Sequence, residues 1–380
     1  MRPATEGAVA GLLARARRDG LRLRVLGAGH SHSPLAATSG ILLDLEAFSG
    51  LIRADPGRQR AVLFGGTRIF SIGPALFEHG LALVNQGDID RQTLAGAVAT
   101  GTHGTGLGLP SLSAAVVGAR VVLADGRALD CDGDREPELF QALRLHLGAV
   151  GVVTRLTLAV RRAYRLRERL WLEPVRDLFE RLPEHVAAHR HFELFWWPGR
   201  SRAVLKALDE TEEAPRYPLG REGERLGLSY EVLPNHRPEL HTEMEYAVPL
   251  ERGPACFEAV WRRVTERHQS VSWPIQYRTV AGDDVWLSPA HGGPVATISL
   301  HQGISADEAP YFRDVEAILV EHGGRPHWGK VHHLGGGELA ERLPRYRDWW
   351  RIRDRHDPEG LFLNEHLEAL RPPGGADRER

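Results

Sequence analysis

The feature that most constrains the fold is a set of three glycine-rich turns, each beside a short apolar β-like segment. The first is "VLGAGHS" at residues 25–31, which follows the start of an apolar run at Leu21. The others are "GAVATGTHGTGLG" at 96–108 and "LGAVGVV" at 147–153. Because glycine has no Cβ, such turns can present backbone N–H groups to a closely approaching anion. Three together predict a site for a long ligand that carries a pyrophosphate, although each turn alone could simply connect two strands.

The first turn is not a good dinucleotide-binding fingerprint of the Rossmann type. The third glycine of that fingerprint is missing, and Pro34 opposes an immediate helix after the turn. The turn instead delivers an imidazole, His30, at the point where a phosphate loop would continue.

Length and charge narrow the class of protein. With 380 residues the chain exceeds the size at which one core usually stops growing, so we expect two domains. A net charge of −2 gives no general attraction to nucleic acid or to anionic lipid. No apolar run is long enough for a membrane helix, and residues 6–20 alternate apolar residues with arginines rather than forming a signal peptide. Cys131 and Cys256 match no disulfide or metal pattern, so we expect a cytoplasmic protein.

The pattern of elements changes near Tyr164. Before it, helices such as Glu6–Asp19 alternate with strands, and Asp125-Gly126 is typical of a hairpin turn. After it, long β-like stretches mix with helical ones without βαβ alternation, which predicts an α+β fold with an antiparallel sheet. Residues 209–240 are polar and predict a surface excursion, and residues 338–357 predict one amphipathic helix followed by a short strand.

Six sequence blocks, in order, resemble one superfamily of flavoproteins. "VLGAGHSHSPL", "NQGDIDRQTLAGAVATGTHGTG" and "HLGAVGVV" resemble the flavin domain of the vanillyl-alcohol-oxidase type, also called the PCMH type. "HFELFWWP", "RPHWGKVHHL" and "DPEGLFLNEHLEAL" resemble the aldonolactone oxidases within it, and alditol oxidases share much of the pattern. The resemblance implies an α+β fold: a two-subdomain FAD-binding domain at 1–162, short at its N-terminus, an α+β cap domain with an antiparallel sheet at 163–325, and a segment at 326–380 that packs back on the FAD domain.

The resemblance also implies the cofactor and its contacts. Members that carry "GHS" bind the 8α-methyl of FAD covalently through the histidine, which is His30 here. A tether of this kind holds the ring in register and makes the flavin a better hydride acceptor. We expect FAD to be bound by Gly27, Ala28, Gly29, His30, Ser31, His32, Ser33, Gly87, Gly96, Thr100, Gly101, Thr102, His103, Gly104, Thr105, Gly148, Gly151, Val152, Val153 and Lys330.

Four side chains are candidates for the substrate side. Gln276 and Arg278 are two residues apart on a β segment, so they face the same way, and a guanidinium suits substrate oxygens that gain negative charge. The family usually has Glu and Arg at these two positions. Gln276 departs from that pattern, and its neutral amide cannot accept a proton. By resemblance, Lys330 lies near flavin and substrate. Asp88 either faces the substrate or caps a turn, and His301 is a weaker candidate.

The resemblance implies an FAD-dependent oxidase that removes hydride from a CH–OH group of an aldonolactone or related polyol, with O2 reduced to H2O2. Gly87 favours an oxidase over a dehydrogenase, since in this family a small residue there accompanies oxygen access. An alditol oxidase, a biosynthetic oxidoreductase and a non-catalytic flavoprotein stay open. So does a metal-binding protein, suggested by 19 histidines, although their spacing predicts no metal site. The expected partners are a small polyhydroxylated substrate and O2, without nucleic acid; the oligomeric state is left open.

Overall fold

Short helices and strands alternate in the first part of the chain. The structure, a computed structural model, describes residues 1–235 and 239–374. The elements of this part are α1 (Glu6–Arg18), β1 (Leu23–Leu26), β2 (Ile41–Asp44), β3 (Leu51–Asp55), β4 (Arg60–Phe64), α2 (Ile69–Phe77), β5 (Leu81–Ala82), α3 (Leu94–Thr100), β6 (Val116–Val122), β7 (Ala128–Asp132), α4 (Pro137–Leu143), β8 (Val152–Ala159) and β9 (Arg161–Arg162).

These strands form three small sheets. β1 and β2 are parallel, β5 pairs with β9, and an antiparallel sheet has the order β3-β4-β8-β6-β7. The predicted first helix is confirmed as α1. Thr5 caps it by accepting a hydrogen bond from the Ala8 amide. The predicted hairpin is also confirmed: Gly126 adopts φ +88° between β6 and β7.

The second part of the chain is built on one large antiparallel sheet. Its elements are β10 (Arg165–Pro174), α5 (Val175–Ala188), β11 (His191–Trp196), β12 (Arg202–Glu210), β13 (Leu226–Leu228), α6 (Ser229–Val232), β14 (His241–Pro249), a 3-10 helix (Leu250–Arg252), α7 (Gly253–Arg267), β15 (Ile275–Val280), β16 (Val295–Gly303), α8 (Ala309–Glu321) and β17 (Arg325–Pro326). The strand order is β13-β10-β12-β11-β15-β16-β14-β17, and every pairing is antiparallel. The predicted fold class is therefore confirmed.

The prediction that residues 209–240 form a surface excursion is wrong for the described part of that stretch; residues 236–238 lie outside the described residues. This stretch supplies the edge strand β13 and the short helix α6, and it buries Leu226 and Val232. The reason lies in Arg225, whose guanidinium pairs with the buried carboxylate of Glu168 on β10. A polar stretch thus joins the sheet because its arginine neutralises a charge inside it.

The C-terminal segment contains three helices, α9 (Gly336–Arg342), α10 (Tyr346–His356) and α11 (Glu365–Ala369). The predicted single helix is split after α9 because Pro344 has no backbone N–H to continue it. The short strand predicted after α10 is wrong. The amides of Leu361 and Phe362 instead donate to the Asp357 carboxylate at 2.8 and 3.0 Å, which consumes the donors that a strand would need.

The C-terminal segment lies against the first part of the chain. The indole of Trp349 on α10 donates to the carbonyls of Ala142 and Leu145 at 3.2 and 3.1 Å. Phe362 joins a core cluster with Val9 of α1. The domain boundaries at 162 and 325 stay predictions. Among the described residues, no helix is both long and apolar enough to cross a membrane.

Candidate active site

A cavity of about 890 Å³ lies where the three glycine-rich turns meet. β1 ends at Leu26, and the chain then turns along the cavity wall. The second and third turns reach the same space from α3 and from the start of β8. The predicted cofactor residues that line it are Gly27, Ala28, Gly29, His30, Ser31, Ser33, Gly96, Thr100, Gly148, Gly151 and Val153.

The first turn presents free backbone donors to this cavity. The amides of Ala28, Gly29, His30 and Ser31 donate no hydrogen bond to any other residue that the structure describes. Gly29 adopts φ +73°, a left-handed conformation that few side chains tolerate. Successive free N–H groups in a tight turn form a concavity that binds anions, so this wall fits the pyrophosphate of a dinucleotide cofactor.

A buried positive charge borders the same cavity. Arg24 is 1% exposed, and its guanidinium donates only to backbone carbonyls in the described ranges, among them Leu35 at 2.7 Å, Leu147 at 2.7 Å and Gly148 at 2.9 Å. Burial lowers the pKa of Arg24 to about 9, so it keeps its charge at neutral pH. A buried cation without a carboxylate partner is costly unless another anion lies nearby. The cavity therefore fits a negatively charged ligand on electrostatic grounds as well.

His30 stands at the cavity wall with an exposed ring. Burial of part of the ring, with the charges of Arg68 and Lys330, lowers its pKa, so the imidazole is neutral at neutral pH. Its ring forms no hydrogen bond with another residue in the described part of the chain. A neutral ring with an uncommitted nitrogen lone pair is the form that can bond to carbon.

A second cavity of about 620 Å³ adjoins the first. Gln92 lines both of them, and its amide donates to Thr102 Oγ at 3.1 Å. One wall comes from the segments around residues 87–92 and 102–103, and the opposite wall from one face of the large sheet. The side chains that line it from the sheet are His241, Glu243, Glu245, Gln276, Arg278 and His301, and those from the loop after β17 are His327 and Lys330.

Two buried carboxylates on β14 hold the cations of the second cavity. Glu245 pairs with Arg278 and also accepts from Ser299 Oγ at 2.6 Å. Glu243 pairs with Lys330. Burial alone would raise the pKa of each carboxyl, but Arg278 and Lys330 hold the pKa of Glu245 and Glu243 well below the ordinary value. Both acids are therefore ionised at neutral pH.

Imidazoles surround these pairs. His103 Nε2 lies 2.6 Å from Glu245, and His301 Nε2 lies 3.7 Å from Glu243. Burial lowers the pKa of His327 to about 3 and that of His301 to about 4. Both rings are neutral at physiological pH and can serve as hydrogen-bond partners for hydroxyl groups.

His32 turns away from the first cavity, toward Glu243. Its Nε2 lies 3.8 Å from that carboxylate, as does Nε2 of His241. The three ligand atoms lie within 4.8 Å of one another, a spacing that a divalent metal ion could close. However, the ammonium of Lys330 already occupies the Glu243 oxygen that faces both rings. Glu243 and His241 line the second cavity, with His32 beside them, and we interpret the cluster as a polar network at that cavity and not as a resident metal centre.

Gln276 and Asp88 also border the second cavity, from opposite sides. The Gln276 amide donates to Glu193 at 2.6 Å, while the Asp88 backbone carbonyl accepts from the Asn235 amide at 2.9 Å. Gly87 lies beside Asp88, and a Cβ added there would come within 3.1 Å of the His103 carbonyl. The structure thus brings all four predicted substrate-side residues together.

Several predicted cofactor residues lie outside the first cavity. Gly87, Thr102, His103 and Lys330 line the second cavity instead. Gly101 ends α3 in a left-handed conformation with φ +77°. Gly101 lines neither the first nor the second cavity but a separate, smaller one that His103 also borders.

Three further predicted residues have structural roles that keep them from the cavity. Val152 packs into the core cluster that contains α1, on the other face of its strand. Thr105 ties the second glycine-rich turn to the large sheet, since its hydroxyl accepts from the Thr279 amide at 3.2 Å. At Gly104, an added Cβ would lie 2.3 Å from the Gln86 carbonyl, so glycine is required there by close packing.

Sequence reasoning missed Glu243 and Glu245. Their signal was present in "HTEMEY", where two acids alternate along a strand that is otherwise buried. It also missed several first-cavity residues: Arg24 and Leu45 lie outside the quoted sequence blocks, while others lie inside those blocks but were not singled out, namely Leu35, Gln92, Thr93, Ala95, Ala99, His146 and Leu147.

Comparisons with known proteins agree with the motifs. The family model described as "D-arabinono-1,4-lactone oxidase" matches residues 156–223 and 216–370, and the model "FAD binding domain" matches residues 1–132. An L-gulono-1,4-lactone dehydrogenase of Mycobacterium tuberculosis is 32% identical, covering 98% of this chain and 96% of its own. An alditol oxidase of a Streptomyces species is 32% identical, covering 90% and 89%.

Solved structures agree on the fold. Cholesterol oxidase from Brevibacterium sterolicum superposes with a TM-score of 0.84 at 16% identity, covering 98% of this chain and 93% of that one. A 6-hydroxy-D-nicotine oxidase from Arthrobacter nicotinovorans gives a TM-score of 0.73 at 18% identity, covering 95% and 89%. The solved structures confirm the fold, while the family models and the relatives confirm the resemblance drawn from the sequence blocks.

Proposed function

The chain belongs to the D-arabinono-1,4-lactone oxidase family, and from this premise we propose that it is an FAD-dependent oxidase of an aldonolactone or a related polyol. FAD, held in the first cavity, would supply the acceptor for the hydride of a substrate CH–OH group, with O2 as the final electron acceptor and H2O2 as its product. The observation that carries the proposal is the meeting of two cavities at Gln92, one suited to a dinucleotide and one suited to hydroxyl groups.

The charge balance of the second cavity favours a neutral substrate. Arg278 is neutralised by Glu245, and Lys330 by Glu243. Neither cation is left over to neutralise a carboxylate on the ligand, while both retain donors for oxygen atoms. The site therefore favours lactones and alditols over ionised aldonic acids.

The paired cations also have a defined task in the reaction. As hydride leaves carbon, the substrate oxygen gains negative charge, and donors already fixed around it stabilise that charge without reorganising. Glu245 and Ser299 hold the Arg278 guanidinium, which lies 3.4 Å from Ser299 Oγ. Glu243 holds the Lys330 ammonium at the cavity wall. We assign charge stabilisation at the substrate oxygen to these two cations.

We further propose that His30 carries FAD covalently. The support is its position in the first cavity, its exposed ring and its lowered pKa.

The two cysteines, both buried free thiols, fit the reducing cytoplasmic setting expected from the sequence.

An alditol oxidase is the second candidate. The relative of that name matches this chain as closely in identity as the lactone dehydrogenase does, and Gln276 is the site residue that departs from the family pattern. Because one of the relatives is a dehydrogenase, the electron acceptor of this chain also has to be tested. Gly87 supports O2 as that acceptor.

A peroxide-release screen tests the function. Flavin-loaded protein is mixed in air with aldonolactones, alditols, free sugars and aldonates at matched concentrations. We expect peroxide with at least one neutral lactone or alditol and none with the aldonates. If dithionite bleaches the bound flavin but no member of the panel does so, the protein is a non-catalytic flavoprotein and the proposal fails.

A further inference from the structure

The side chain of Gln276 lines the second cavity, but its amide is held by Glu193, a residue that does not line that cavity. Resting on the function proposed above, we infer that Glu193 is a positioning residue: it fixes the Gln276 amide so that the amide oxygen, a neutral acceptor, receives a hydroxyl of the substrate. The negative charge of this part of the site is thus held one strand away from the ligand. Specificity for a neutral hydroxyl donor follows from that arrangement.

The contact between the two side chains crosses from β15 to β11. Gln276 is 3% exposed and Glu193 is 1% exposed, and Gln276 Nε2 donates to Glu193 Oε2 at 2.6 Å. The other carboxylate oxygen of Glu193 lies 3.1 Å from Lys206 Nζ. Glu193 accepts on both oxygens and is anchored to a buried cation.

The orientation of the amide follows from chemistry. An ionised carboxylate can only accept hydrogen bonds, so the group that faces Glu193 must be the NH2 of Gln276. The carbonyl oxygen then points away from Glu193. That oxygen has no hydrogen-bond partner among the residues that the structure describes, and the side chain lines the cavity. A hydroxyl of a bound ligand is the partner that the geometry provides for.

The charges behind Gln276 are already balanced. Lys206 on β12 lies between Glu193 and Glu168, with its ammonium 3.5 Å from the latter. Arg225 pairs with Glu168 from β13. Two cations thus match two carboxylates.

The cavity side of Gln276 is charged too. Its neighbour Arg278 is matched by Glu245, and the charge of Asp88 also acts on Arg278 and Lys206. A glutamate at position 276 would add a carboxylate at the present 2.6 Å contact without a new cation. Two carboxyls so close share a proton, which raises the pKa of one of them.

Four proteins test the inference: the unchanged chain, Gln276→Glu, Glu193→Gln and the exchange variant Gln276→Glu/Glu193→Gln. Gln269→Glu, the same chemical change at an exposed position on the segment after α7, is the matched control. Each protein is assayed for kcat/KM and for thermal unfolding between pH 5.5 and pH 8.5.

We expect Gln276→Glu to lose kcat/KM about ten-fold or more at pH 8.5 and to recover as the pH falls, because a shared proton removes the repulsion. Its unfolding temperature should fall below that of the unchanged chain at high pH and approach it at low pH. Glu193→Gln should raise KM about ten-fold, since the amide loses its charge-assisted hydrogen bond. The exchange variant should recover most of the activity, because the new amide at position 193 can donate to the new carboxylate at position 276 with the charge count unchanged.

Two results would overturn the inference: a Gln276→Glu protein whose activity and unfolding temperature show the pH dependence of Gln269→Glu, or an exchange variant no better than Gln276→Glu. The unfolding measurement needs no substrate. If no polyol is oxidised at all, the proposed function fails, while the pH-dependent unfolding of Gln276→Glu still decides whether Glu193 and position 276 are coupled as stated.

Discussion

At the scale of single residues, Gly87 determines how much space lies between the second cavity and the turn at residues 102–103. Gly87 borders that cavity, and a methyl group there would meet the His103 carbonyl at 3.1 Å and Thr102 Cγ2 at 3.3 Å. These contacts are tighter than ordinary van der Waals contact, so the His103 carbonyl and the Thr102 methyl group must shift by a few tenths of an ångström to admit an alanine. The added methyl group would fill space at the cavity wall.

Gly87→Ala is expected to slow reoxidation of the flavin by O2 by about ten-fold or more, a barrier increase of about 1.4 kcal/mol. Reduction by the substrate should change little, because the methyl group removes space without removing a donor. Stopped-flow measurement of the two half-reactions separates these effects. Equal slowing of both half-reactions would show that Gly87 shapes the substrate cavity and not the path of oxygen.

His30→Ala is expected to release flavin into the supernatant when the protein is precipitated with acid, whereas the unchanged chain keeps it in the pellet. His32→Ala is the matched control, because His32 faces Glu243 and not the first cavity; its pellet should stay yellow. Flavin retained by the precipitated His30→Ala protein would place the bond at another residue.

At the scale of elements, β14 determines the electrostatics of the substrate side. Its side chains alternate: Glu243 and Glu245 face the cavity, while Met244 and Tyr246 are fully buried on the other face. One strand thus supplies both counter-charges for cations that arrive from elsewhere, Arg278 from β15 and Lys330 from the loop after β17.

Glu243→Gln is expected to lower the free energy of unfolding at pH 7 by about 2 kcal/mol, because Lys330 loses its charged partner. The folded-state pKa of Glu243 lies below its ordinary value of 4.5, so this stabilisation is present above that pH and is lost as the pH falls. The difference from the unchanged chain should therefore shrink below about pH 4.5. Urea unfolding across pH measures it, with Glu251→Gln, at an exposed position, as the control.

Features that lie in one continuous stretch could be predicted from the sequence, whereas contacts between distant residues could not. The three turns of the first cavity were predicted because their glycines and His30 lie close together along the chain. The excursion at 209–240 and the helix broken at Pro344 were misread, since Arg225 is drawn into the sheet only by Glu168. The Gln276–Glu193 contact joins residues 83 apart, which no local pattern reveals.

At the scale of the whole molecule, the second cavity lies between the glycine-rich part of the chain and the large sheet, whereas the first cavity is lined by residues of the first part alone and meets the second at Gln92. Thr105 bridges the two parts through the Thr279 amide, and Gly106 pairs with Val280. A ligand that fills the first cavity contacts three separate stretches of the first part of the chain and should stabilise the folded state.

In the His30→Ala protein, added FAD is expected to raise the unfolding temperature, with a gain of about 2.7 kcal/mol at 100 times its dissociation constant. Riboflavin, which lacks the pyrophosphate, should stabilise much less, because it leaves the free amides of the first turn and the Arg24 charge unmatched. Equal stabilisation by riboflavin would contradict an anion site at that turn. Thermal scans over a series of concentrations measure both ligands.

The selection of neutral hydroxyl substrates is tested by the absorbance of the bound flavin when neutral lactones and alditols are added without oxygen. At least one of them should bleach the oxidised flavin band, and the corresponding aldonate should not. Admitting O2 should restore the band with release of one equivalent of peroxide. A band that aldonates bleach as readily as lactones would contradict the claim that this site selects neutral hydroxyl substrates.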